Sequence, residues 1–531
     1  MGVSRRNFIT RVGALGGYSA AYSAMVGLGL MSASGAKAAP ALAANHGAGK
    51  SVVVLGGGVA GLVSVYELER AGYKVTLLEA RQRLGGRNWT LRGGDKVEMV
   101  GEADQTVSFT DGVYMNAGPA RIPSHHEGLL AYCRKLGVPL EVEVNSSRSA
   151  YIYSPGSKIQ MRQGVNDTRG HISELLAKAL NKGALDGDLT PADKERLRPF
   201  LQAYGDLDAN YAFKGTERSG FSEIPGAASQ FGAHKPPLPL SQLLGNEQLR
   251  ATLFEDALYM QATMFQPVGG MDKIATGFQR AIKSPVVMNA EVLEIRDLRA
   301  GVAVAYRDRT SGARQVIQAD YAIVTIPLNI LAKIDTNFAP DIKRAIASVP
   351  GDYSNKIGFE APRFWEREQI YGGISFVGGE TNLVWYPSND LHSERGMLLA
   401  CYGSGPRAKG FAEKSLSDQV AVARNVVEQL HPGHAADLAK AVVVNWSKIP
   451  FNLGPWPAFQ GRGGQEGHID DPSYRLLNEP AKGRVYFSGA HLSQMPGWQE
   501  GAVLSAHRTI GFIASRTAQS VAVEGKPARA A

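Results

Sequence analysis

Residues 51–87 read SVVVLGGGVAGLVSVYELERAGYKVTLLEARQRLGGR, which predicts a strand, a glycine-rich turn, a helix and a second strand ending in an acid. The leading apolar run is typical of a strand buried on both faces. The glycines have G-x-G-x-x-G spacing: Gly56 allows the tight turn, Gly58 lets the backbone approach a pyrophosphate, and Gly61 lets the helix pack closely on the sheet. Glu79 ends the second strand, where a carboxylate can accept a hydrogen bond from a ribose hydroxyl. The segment therefore predicts a βαβ unit that binds a dinucleotide at a helix N-terminus.

The residues from Glu79 onward distinguish FAD from NAD. Residues 79–87, EARQRLGGR, resemble the E-A-R-x-R-x-G-G-R signature of FAD-dependent amine oxidases, which is far more specific than the three glycines. In that family the arginines and the paired glycines wrap the diphosphate of the cofactor, a task that suits cationic donors and bare backbone beside a dianion. The resemblance implies that FAD is the cofactor.

Later segments extend the resemblance over most of the chain, although it is thin through the middle. PVGGMD at 267–272 resembles the segment that returns to the FAD domain, GRVYFSG at 483–489 a strand approaching the cofactor, and PGWQEGA at 496–502 the turn into the last helix. The FAD contacts that the resemblance implies are Gly56, Gly58, Ala60, Gly61, Glu79, Ala80, Arg81, Gly86, Arg87, Gly118, Pro119, Ala120, Arg121, Val292, Gly489, Ala490, Trp498 and Ala502.

The chain departs from the family pattern after Gly489. A glutamate usually follows this glycine and reaches the cofactor's sugar alcohol, whereas here the next residues are Ala490 and His491. Because alanine cannot make that hydrogen bond, His491, Ser493 or a water molecule is left to take its place. Some relatives attach FAD covalently through a cysteine in the C-terminal segments, but no cysteine follows Tyr402, and we expect non-covalent FAD.

Residues 116–123, NAGPARIP, bear on the substrate. They resemble the G-P-x-R-[IL]-P segment of L-amino acid oxidases, in which the arginine, here Arg121, pairs with the substrate's α-carboxylate. A guanidinium matches a carboxylate bidentately in a way that lysine cannot. A structural ion pair or a cofactor contact is the alternative for Arg121. We expect His125 and His126 to open the helix that runs to Leu136 rather than to take part in catalysis.

Lys356, in the predicted strand SNKIGF, is the second candidate catalytic residue. In similar oxidases a lysine at this place holds a water against N5 of the flavin. A charged side chain facing inward from a strand is otherwise costly. The alternative is an edge lysine whose ammonium group reaches solvent.

Two aromatic residues complete the predicted substrate site. In the resembling enzymes aromatic rings flank the substrate, and an aromatic hydroxyl helps the arginine to hold the carboxylate. We predict that Tyr386, rather than its neighbour Trp385, supplies this hydroxyl and that Trp498 forms one wall. Buried aromatic residues are more often only part of a core, which is the alternative for both.

The resemblance implies oxidation of an L-α-amino acid by O₂ to a 2-oxo acid, ammonia and hydrogen peroxide, with the amino acid and O₂ as the small-molecule partners. Three alternatives stay open: an amino-acid 2-monooxygenase that forms an amide, a monoamine or polyamine oxidase, and a non-catalytic FAD-binding protein. Analysis of products, activity on decarboxylated amines and anaerobic bleaching of the flavin distinguish them.

Length and composition agree with a multi-domain soluble enzyme, since the chain has 531 residues of which 44% are hydrophobic and 20% are charged. Four of the positive charges lie in the acid-free N-terminal segment, so the net charge of +8 falls to +4 without them. No basic run with interleaved aromatic residues occurs, and we expect neither nucleic-acid binding nor a metal site. The sequence leaves homo-oligomerisation open.

The predicted fold is α/β: a Rossmann-type FAD-binding domain, a mixed-sheet substrate domain and an inserted helical domain. Helical patterns occur at 172–180, 192–204 and 247–264, and strand-like alternation occurs at 286–326. The predicted boundaries are 49–100, 266–330 and 480–517 for the FAD-binding domain, 101–160 and 331–479 for the substrate domain, 161–265 for the helical domain, and 518–531 for a loose tail.

The N-terminus resembles a twin-arginine export signal over residues 1–43. SRRNFI at 4–9 precedes an uncharged stretch and two Ala-x-Ala sites, which end at Ala38 and Ala43. A membrane anchor is disfavoured because Gly, Ala and Ser dominate the stretch. We expect a periplasmic or secreted enzyme that is exported folded, with only transient membrane contact. Cys133 and Cys401 lie in apolar contexts, which predicts inert buried thiols.

Overall fold

Five parallel strands form the sheet that carries the glycine-rich turn. The computed structural model describes residues 39–459 and 470–524. In spatial order the strands of this sheet, here named the dinucleotide sheet, are Val286–Val287, Lys74–Leu78, Ser51–Leu55, Tyr321–Val324 and Val485–Phe487. They come from the three segments assigned to the FAD-binding domain, and the fold class predicted from the sequence is confirmed. The domain boundaries stay predictions.

The central strand of the dinucleotide sheet is buried on both faces, as its unbroken apolar run predicts. Val52 and Val54 pack against a helical layer, whereas Val53 and Leu55 pack against a four-stranded sheet. The helical layer includes Val59–Arg70, Glu127–Lys135, Asp272–Ala281 and Gln499–Glu524. The four-stranded sheet has the order Arg314–Ala319, Val302–Asp308, Ala290–Asp297 and Asp335–Thr336. The carboxyl ends of the dinucleotide strands thus meet at one edge, where ligands bind in such folds.

A seven-stranded mixed sheet forms the second large body. Its strands, in spatial order, are Ala439–Asn445, Ser354–Pro362, Arg395–Ser404, Asn382–Trp385, Ile374–Gly378, Tyr151–Ser154 and Ser157–Gln160. Helix Leu416–Leu430 covers one face, and the other face packs on residues 89–117. Strand Ser354–Pro362 lies inside this sheet, where Lys356 pairs directly with Tyr402 of the neighbouring strand.

The segment 161–265 is helical only in its first half. Helices Met161–Asn181 and Pro191–Gly205 contain the first two predicted helical patterns, and helix Leu240–Leu244 is short. The prediction of a helix over 247–264 is wrong, because this stretch forms the 3₁₀ helices Leu249–Asp256 and Leu258–Met260 and then enters strand Thr263–Pro267. Neither 3₁₀ helix buries a residue fully, so no apolar face holds a regular α-helix there. Strand Thr263–Pro267 pairs with Leu140–Val144.

Short elements complete the fold. The helices are Leu328–Leu331, Pro340–Ala347, Phe364–Arg367, Gly405–Ala412 and Pro472–Asn478, and the 3₁₀ turns are Glu217–Ser219, Ala435–Asp437, Trp446–Lys448 and Ala490–Leu492. The two-stranded pairs are Thr90–Leu91 with Met115–Asn116, Lys96–Val97 with Gln105–Thr106, and Phe221–Glu223 with Ala233–His234.

The C-terminal end differs from expectation. The last helix continues to Glu524, so the segment that we expected to be loose begins as a helix. The twin-arginine prediction lies mostly outside the described residues, which begin at residue 39. Among the described helices, none is long and apolar enough to cross a membrane. Cys133 and Cys401 are buried and free, and burial raises the pKa of each thiol to about 12.

Candidate active site

A cavity of about 520 Å³ lies over the glycine-rich turn and extends to the seven-stranded sheet. Its wall includes sixteen of the residues predicted to bind FAD or substrate. They are Gly56, Gly58, Ala60, Glu79, Ala80, Arg81, Gly86, Arg87, Gly118, Pro119, Val292, Lys356, Gly489, Ala490, Trp498 and Ala502. The volume falls in the range of cavities that hold small molecules and cofactors.

The three glycines of the turn have the separate geometries that their spacing predicts. Gly56 has φ +107°, which side chains rarely adopt, and Gly58 is the N-cap of helix Val59–Arg70. A Cβ added to Gly58 would meet no atom within 4 Å, so the space beside it belongs to the cavity. A Cβ on Gly61 would lie 2.0 Å from the carbonyl oxygen of Gly56, which makes Gly61 a packing residue off the cavity wall.

Glu79 and two arginines surround the turn. The Glu79 carboxylate accepts hydrogen bonds from the backbone N–H groups of Gly57 at 2.7 Å and Arg81 at 2.9 Å. Arg87 donates to the carbonyl of Pro455 at 2.6 Å, and burial lowers the pKa of its guanidinium to about 10. Among the described residues no carboxylate lies within ion-pair distance of Arg87. A buried cation that lines a cavity without an anion fits a diphosphate group, and these residues therefore fit FAD.

A segment that the sequence did not indicate closes the cavity beside these arginines. Residues 450–457 line it, and Arg81 donates to the Pro450 carbonyl and, at 2.6 Å, to the Asn452 side chain. No local motif marks this segment, because its contribution depends on contacts with residues more than 360 positions earlier in the chain.

Of the two side chains that could replace the missing glutamate, His491 lines the cavity and Ser493 does not. Its imidazole lines the cavity against Gly489, where an added Cβ would lie 2.4 Å from Cε1 of the ring. Burial and the Arg87 charge lower the pKa of His491 to about 3, which keeps the ring neutral. The Ser493 hydroxyl is engaged with the backbone, donating to the Ala490 carbonyl at 2.8 Å.

Lys356 is buried on an interior strand and lines the cavity. Its Nζ donates to the carbonyls of Asn116 at 3.0 Å and Gly118 at 2.5 Å. Burial, with a smaller effect of the Arg121 charge, lowers the pKa of Lys356 to about 7. The edge-lysine alternative is wrong, since only 3% of the residue is exposed and its strand has neighbours on both sides. Nζ also lies 4.8 Å from the centroid of the Tyr402 ring.

Arg121 is buried behind the cavity wall. It donates to Oδ1 of Asn145, and its Cζ lies 4.6 Å from the ring centroid of Trp385 and 5.8 Å from that of Phe254. Burial lowers the pKa of Arg121, and Glu143 opposes that shift. No carboxylate of the described residues pairs with it within 4 Å, so the alternative of a direct structural ion pair is wrong, and Glu143 acts on it only at longer range.

The structure corrects the choice of Tyr386 for the substrate hydroxyl. Tyr386 is fully buried in a core cluster, and its hydroxyl bonds to Nε2 of His431 at 2.8 Å and to Ser375 at 2.9 Å. Consecutive residues of an extended chain point to opposite faces, so Trp385 faces Arg121 while Tyr386 faces away. Tyr402 is a tyrosine that does line the cavity, and its ring stacks on Trp385.

Trp498 lines the cavity, and two rings from elsewhere pack on it. Tyr259 stacks on it with centroids 5.7 Å apart, and His126 meets it edge-on at 5.1 Å. His126 is the N-cap of helix Glu127–Lys135, as expected, and burial lowers its pKa to about 3. Tyr259 lies in the stretch wrongly predicted as a helix, and nothing in the sequence pattern indicated it as a site residue.

Four predicted site residues do not line the main cavity: Gly61, Ala120, Arg121 and Tyr386. Ala120 instead lines a second, water-sized cavity of about 30 Å³, together with Lys356, Trp385 and Glu143. Glu143 was not anticipated, since a carboxylate in the alternating stretch LEVEV predicts a solvated strand face. The individual roles of all these residues stay predictions.

The site combines the dinucleotide sheet, the buried arginine beside its glycine-rich turn, and a cavity that extends from this turn to the seven-stranded sheet. Together these features define a flavoprotein oxidoreductase. The chain belongs to the flavin containing amine oxidoreductase family, whose model matches residues 59–509. It is therefore an enzyme with a flavin cofactor.

Curated relatives match along most of their length. An L-amino-acid oxidase from Siganus canaliculatus is 26% identical over 479 residues, covering 88% of this chain and 85% of the relative. An L-amino-acid oxidase from Gloydius blomhoffii is 27% identical over 474 residues, covering 86% and 88%.

Solved structures agree on the fold. Wild-type putrescine oxidase bound to putrescine has a TM-score of 0.57 at 18% identity, covering 89% of this chain and 99% of that chain. Cyclohexylamine oxidase from Brevibacterium oxydans has a TM-score of 0.56 at 16% identity with the same coverage. At these identities the likeness concerns the fold alone.

Proposed function

We propose that this enzyme oxidises an L-α-amino acid with O₂ and water to a 2-oxo acid, ammonium and hydrogen peroxide. The observation that carries the proposal is the buried guanidinium of Arg121, which lies on the ring of Trp385 in the wall of the second cavity and has no carboxylate within 4 Å among the described residues. An amine without a carboxylate has no use for such a group, whereas an α-carboxylate is its natural counter-ion. The L-amino-acid oxidases named above are relatives of the same family.

Different residues around the cavity bind the substrate and orient it. Arg121 takes the carboxylate, with Tyr402 in place of Tyr386 as the neighbouring hydroxyl. Trp498 forms the opposite wall, and Lys356 stands between the substrate and the backbone of residues 116–118. The flavin, when bound, accepts the hydride from Cα, so the protein's contribution is orientation and electrostatics.

FAD is held without a covalent bond in this proposal. The two cysteines in positions 133 and 401 are buried, and neither lines the cavity. Denaturation in acid should therefore release all of the flavin into the supernatant. Flavin that stays with the precipitated protein would contradict this part of the proposal.

The mature enzyme is exported by the twin-arginine route in this proposal, with cleavage after Ala38 rather than after Ala43. Contacts of the residues around Ala43 support cleavage at the earlier position. Leu42 packs against the core. Just after Ala43, His46 Nε2 lies 3.0 Å from the Ala514 carbonyl oxygen, and the Gly47 N–H donates to the Ala71 carbonyl at 2.8 Å. Cleavage after Ala43 would remove the Leu42 contact. N-terminal sequencing of the exported protein distinguishes the two sites.

Anaerobic mixing with a panel of amino acids tests the central proposal. We expect bleaching of the flavin by L-amino acids and not by their decarboxylated amines, and formation of a 2-oxo acid and peroxide once air is admitted. An amide product would identify a monooxygenase instead. Bleaching by amines alone would assign the enzyme to amine oxidation, and no bleaching by either class would contradict catalysis of this kind.

A further inference from the structure

Glu143 is a buried carboxylate that the site described above does not use. Only 1% of the residue is exposed, and its carboxylate oxygens have no hydrogen bond of full geometry among the described residues, the Trp385 indole being the one donor that acts on them. Leaving an ionised carboxylate in this state is costly, which is why such groups are rare without a function. Strand Leu140–Val144 places it two residues before Asn145, whose side chain accepts from Arg121.

Glu143 lines the second cavity, and this cavity shares the wall residue Lys356 with the main cavity. This cavity of about 30 Å³ has room for about one water molecule, and Lys356 lines both cavities. The other polar side chains on its wall are Tyr114, Asn116, Gln266, Trp385 and Asn389. The ionisable groups around Glu143 are therefore Lys356 and Tyr114 on the cavity wall and Arg121 beside it, with Tyr402 beyond Lys356.

Charge balance links Glu143 to the state of Arg121. Burial raises the pKa of Glu143 to about 7, against the opposing effects of Arg121 and Trp385. A substrate carboxylate that pairs with Arg121 cancels that attraction and adds a second negative charge nearby, so it favours the protonated form of Glu143. The zwitterionic substrate brings the required proton, because its ammonium group must become a neutral amine before a hydride can leave Cα.

We infer that Glu143 is the counter-charge of Arg121 in the substrate-free enzyme and that it takes up the ammonium proton of the amino acid when the substrate carboxylate pairs with Arg121. This inference rests on the proposed function. The proton leaves the substrate nitrogen, is carried by neutral Lys356 at the junction of the two cavities, and ends on a carboxylate oxygen of Glu143. The N–H bond of the ammonium group breaks and an O–H bond forms on Glu143, with no oxidation or reduction in this step. After the transfer, the buried groups are the ion pair of Arg121 with the substrate carboxylate, a neutral amine and a neutral carboxyl group on Glu143. This arrangement costs less free energy than burying four charges, on Arg121, Glu143 and the carboxylate and ammonium groups of the substrate.

The stored proton has a use later in the cycle. Reduction of O₂ to H₂O₂ requires two electrons and two protons, so a carboxyl group near the site can return the proton taken from the substrate. Glu143 is thus a proton-holding residue that acts through Lys356.

Calorimetric titration of the holoenzyme with benzoate tests the inference without turnover. Benzoate supplies a carboxylate but has no amine to oxidise, and titration at pH 8 in two buffers with different ionisation enthalpies counts the protons taken up on binding. At pH 8 a carboxyl group with a pKa of about 7 is mostly ionised in the free enzyme. We expect wild type to take up a large fraction of one proton per site and Glu143→Gln to take up none.

Glu141→Gln is the matched control, because Glu141 lies two residues away on the same strand but is partly exposed and already bonded to Gln266 at 3.1 Å. It should keep the wild-type proton uptake. If Glu143→Gln does not fold, infrared difference spectra of the wild type replace it: benzoate binding should produce the C=O band of a protonated carboxyl group.

The outcomes separate this inference from the proposed function. Binding without proton uptake, or uptake that persists in Glu143→Gln, overturns the inference even if amino acids bleach the flavin. Failure of benzoate to bind overturns both the proposed pairing of Arg121 with the substrate carboxylate and the inference about Glu143. In addition, the pH dependence of reduction by an amino acid should move toward the alkaline pKa of the free amine in Glu143→Gln.

Discussion

Cζ of Arg121 lies 4.6 Å from the ring centroid of Trp385, and Oδ1 of Asn145 accepts a hydrogen bond from the same guanidinium. Stacking on an indole stabilises a guanidinium and leaves donors at its edge for a planar acceptor. Neither of these two neighbours carries a charge, and Glu143 acts on the cation only through space, without an ion pair within 4 Å. If Arg121 pairs with the substrate carboxylate as proposed, this arrangement holds its guanidinium ready before the substrate arrives.

Arg121→Ala should lower kcat/KM for an L-amino acid by about 2–5 kcal/mol of transition-state stabilisation, the range for truncating one partner of a buried charge pair. Flavin content should stay unchanged, since Arg121 does not line the cofactor cavity. Steady-state kinetics with an amino acid and its decarboxylated amine check this. Equal losses for both compounds would show that Arg121 does not recognise the carboxylate.

Tyr402→Phe and Tyr386→Phe form a matched pair that tests the corrected assignment. Tyr402→Phe should raise KM for the amino acid with little effect on stability, because Tyr402 lines the cavity and no hydrogen bond of its hydroxyl within the described residues would be lost. Tyr386→Phe should leave kinetics unchanged and lower the free energy of unfolding by about 1–3 kcal/mol, since it removes a buried hydrogen bond from Nε2 of His431 and another from the Ser375 hydroxyl. Kinetics and denaturant unfolding distinguish the two variants, and the opposite pattern would restore the original assignment of Tyr386.

The charge of Lys356 should be visible in the pH dependence of flavin reoxidation. Its pKa of about 7 makes it cationic below pH 7 and neutral above. A cation stabilises the negative charge that develops as O₂ is reduced, so reoxidation should slow as the pH rises through about 7. Lys356→Met should abolish this transition while FAD occupancy is kept, as measured by stopped-flow mixing with O₂. A transition that survives in the variant would assign it to another group.

Two glycine variants separate cofactor binding from packing. Gly58→Val should fold but purify without flavin, because φ −73° and ψ 179° suit a valine and the side chain would enter the cavity. Gly61→Ala should instead cost about 1–3 kcal/mol of stability through overpacking, since its Cβ would lie 2.0 Å from the Gly56 carbonyl oxygen. Flavin absorbance and thermal unfolding report the two effects. A yellow, active Gly58→Val enzyme would contradict the dinucleotide assignment.

The dinucleotide unit was predictable from sequence because each of its signals is local. The apolar run, the glycines at 56, 58 and 61, and Glu79 all lie within 37 residues, and their spacing reflects the backbone geometry of one βαβ unit. The burial of Lys356 was suggested by its apolar flanks for the same reason. Arg121 came from a short motif whose residues are consecutive.

The rest of the site depends on contacts between distant strands. Tyr402 reaches the cavity because its strand pairs with that of Lys356, 46 positions earlier, and no local pattern encodes that register. Trp385 and Tyr386 are equivalent by sequence, and only the packing of the seven-stranded sheet determines which ring faces the substrate. Glu143 looks like a solvated strand residue until Lys356 and Trp385 enclose it. Burial and charge proximity arise from long-range packing, so the tertiary structure alone determines where the charges of this site meet.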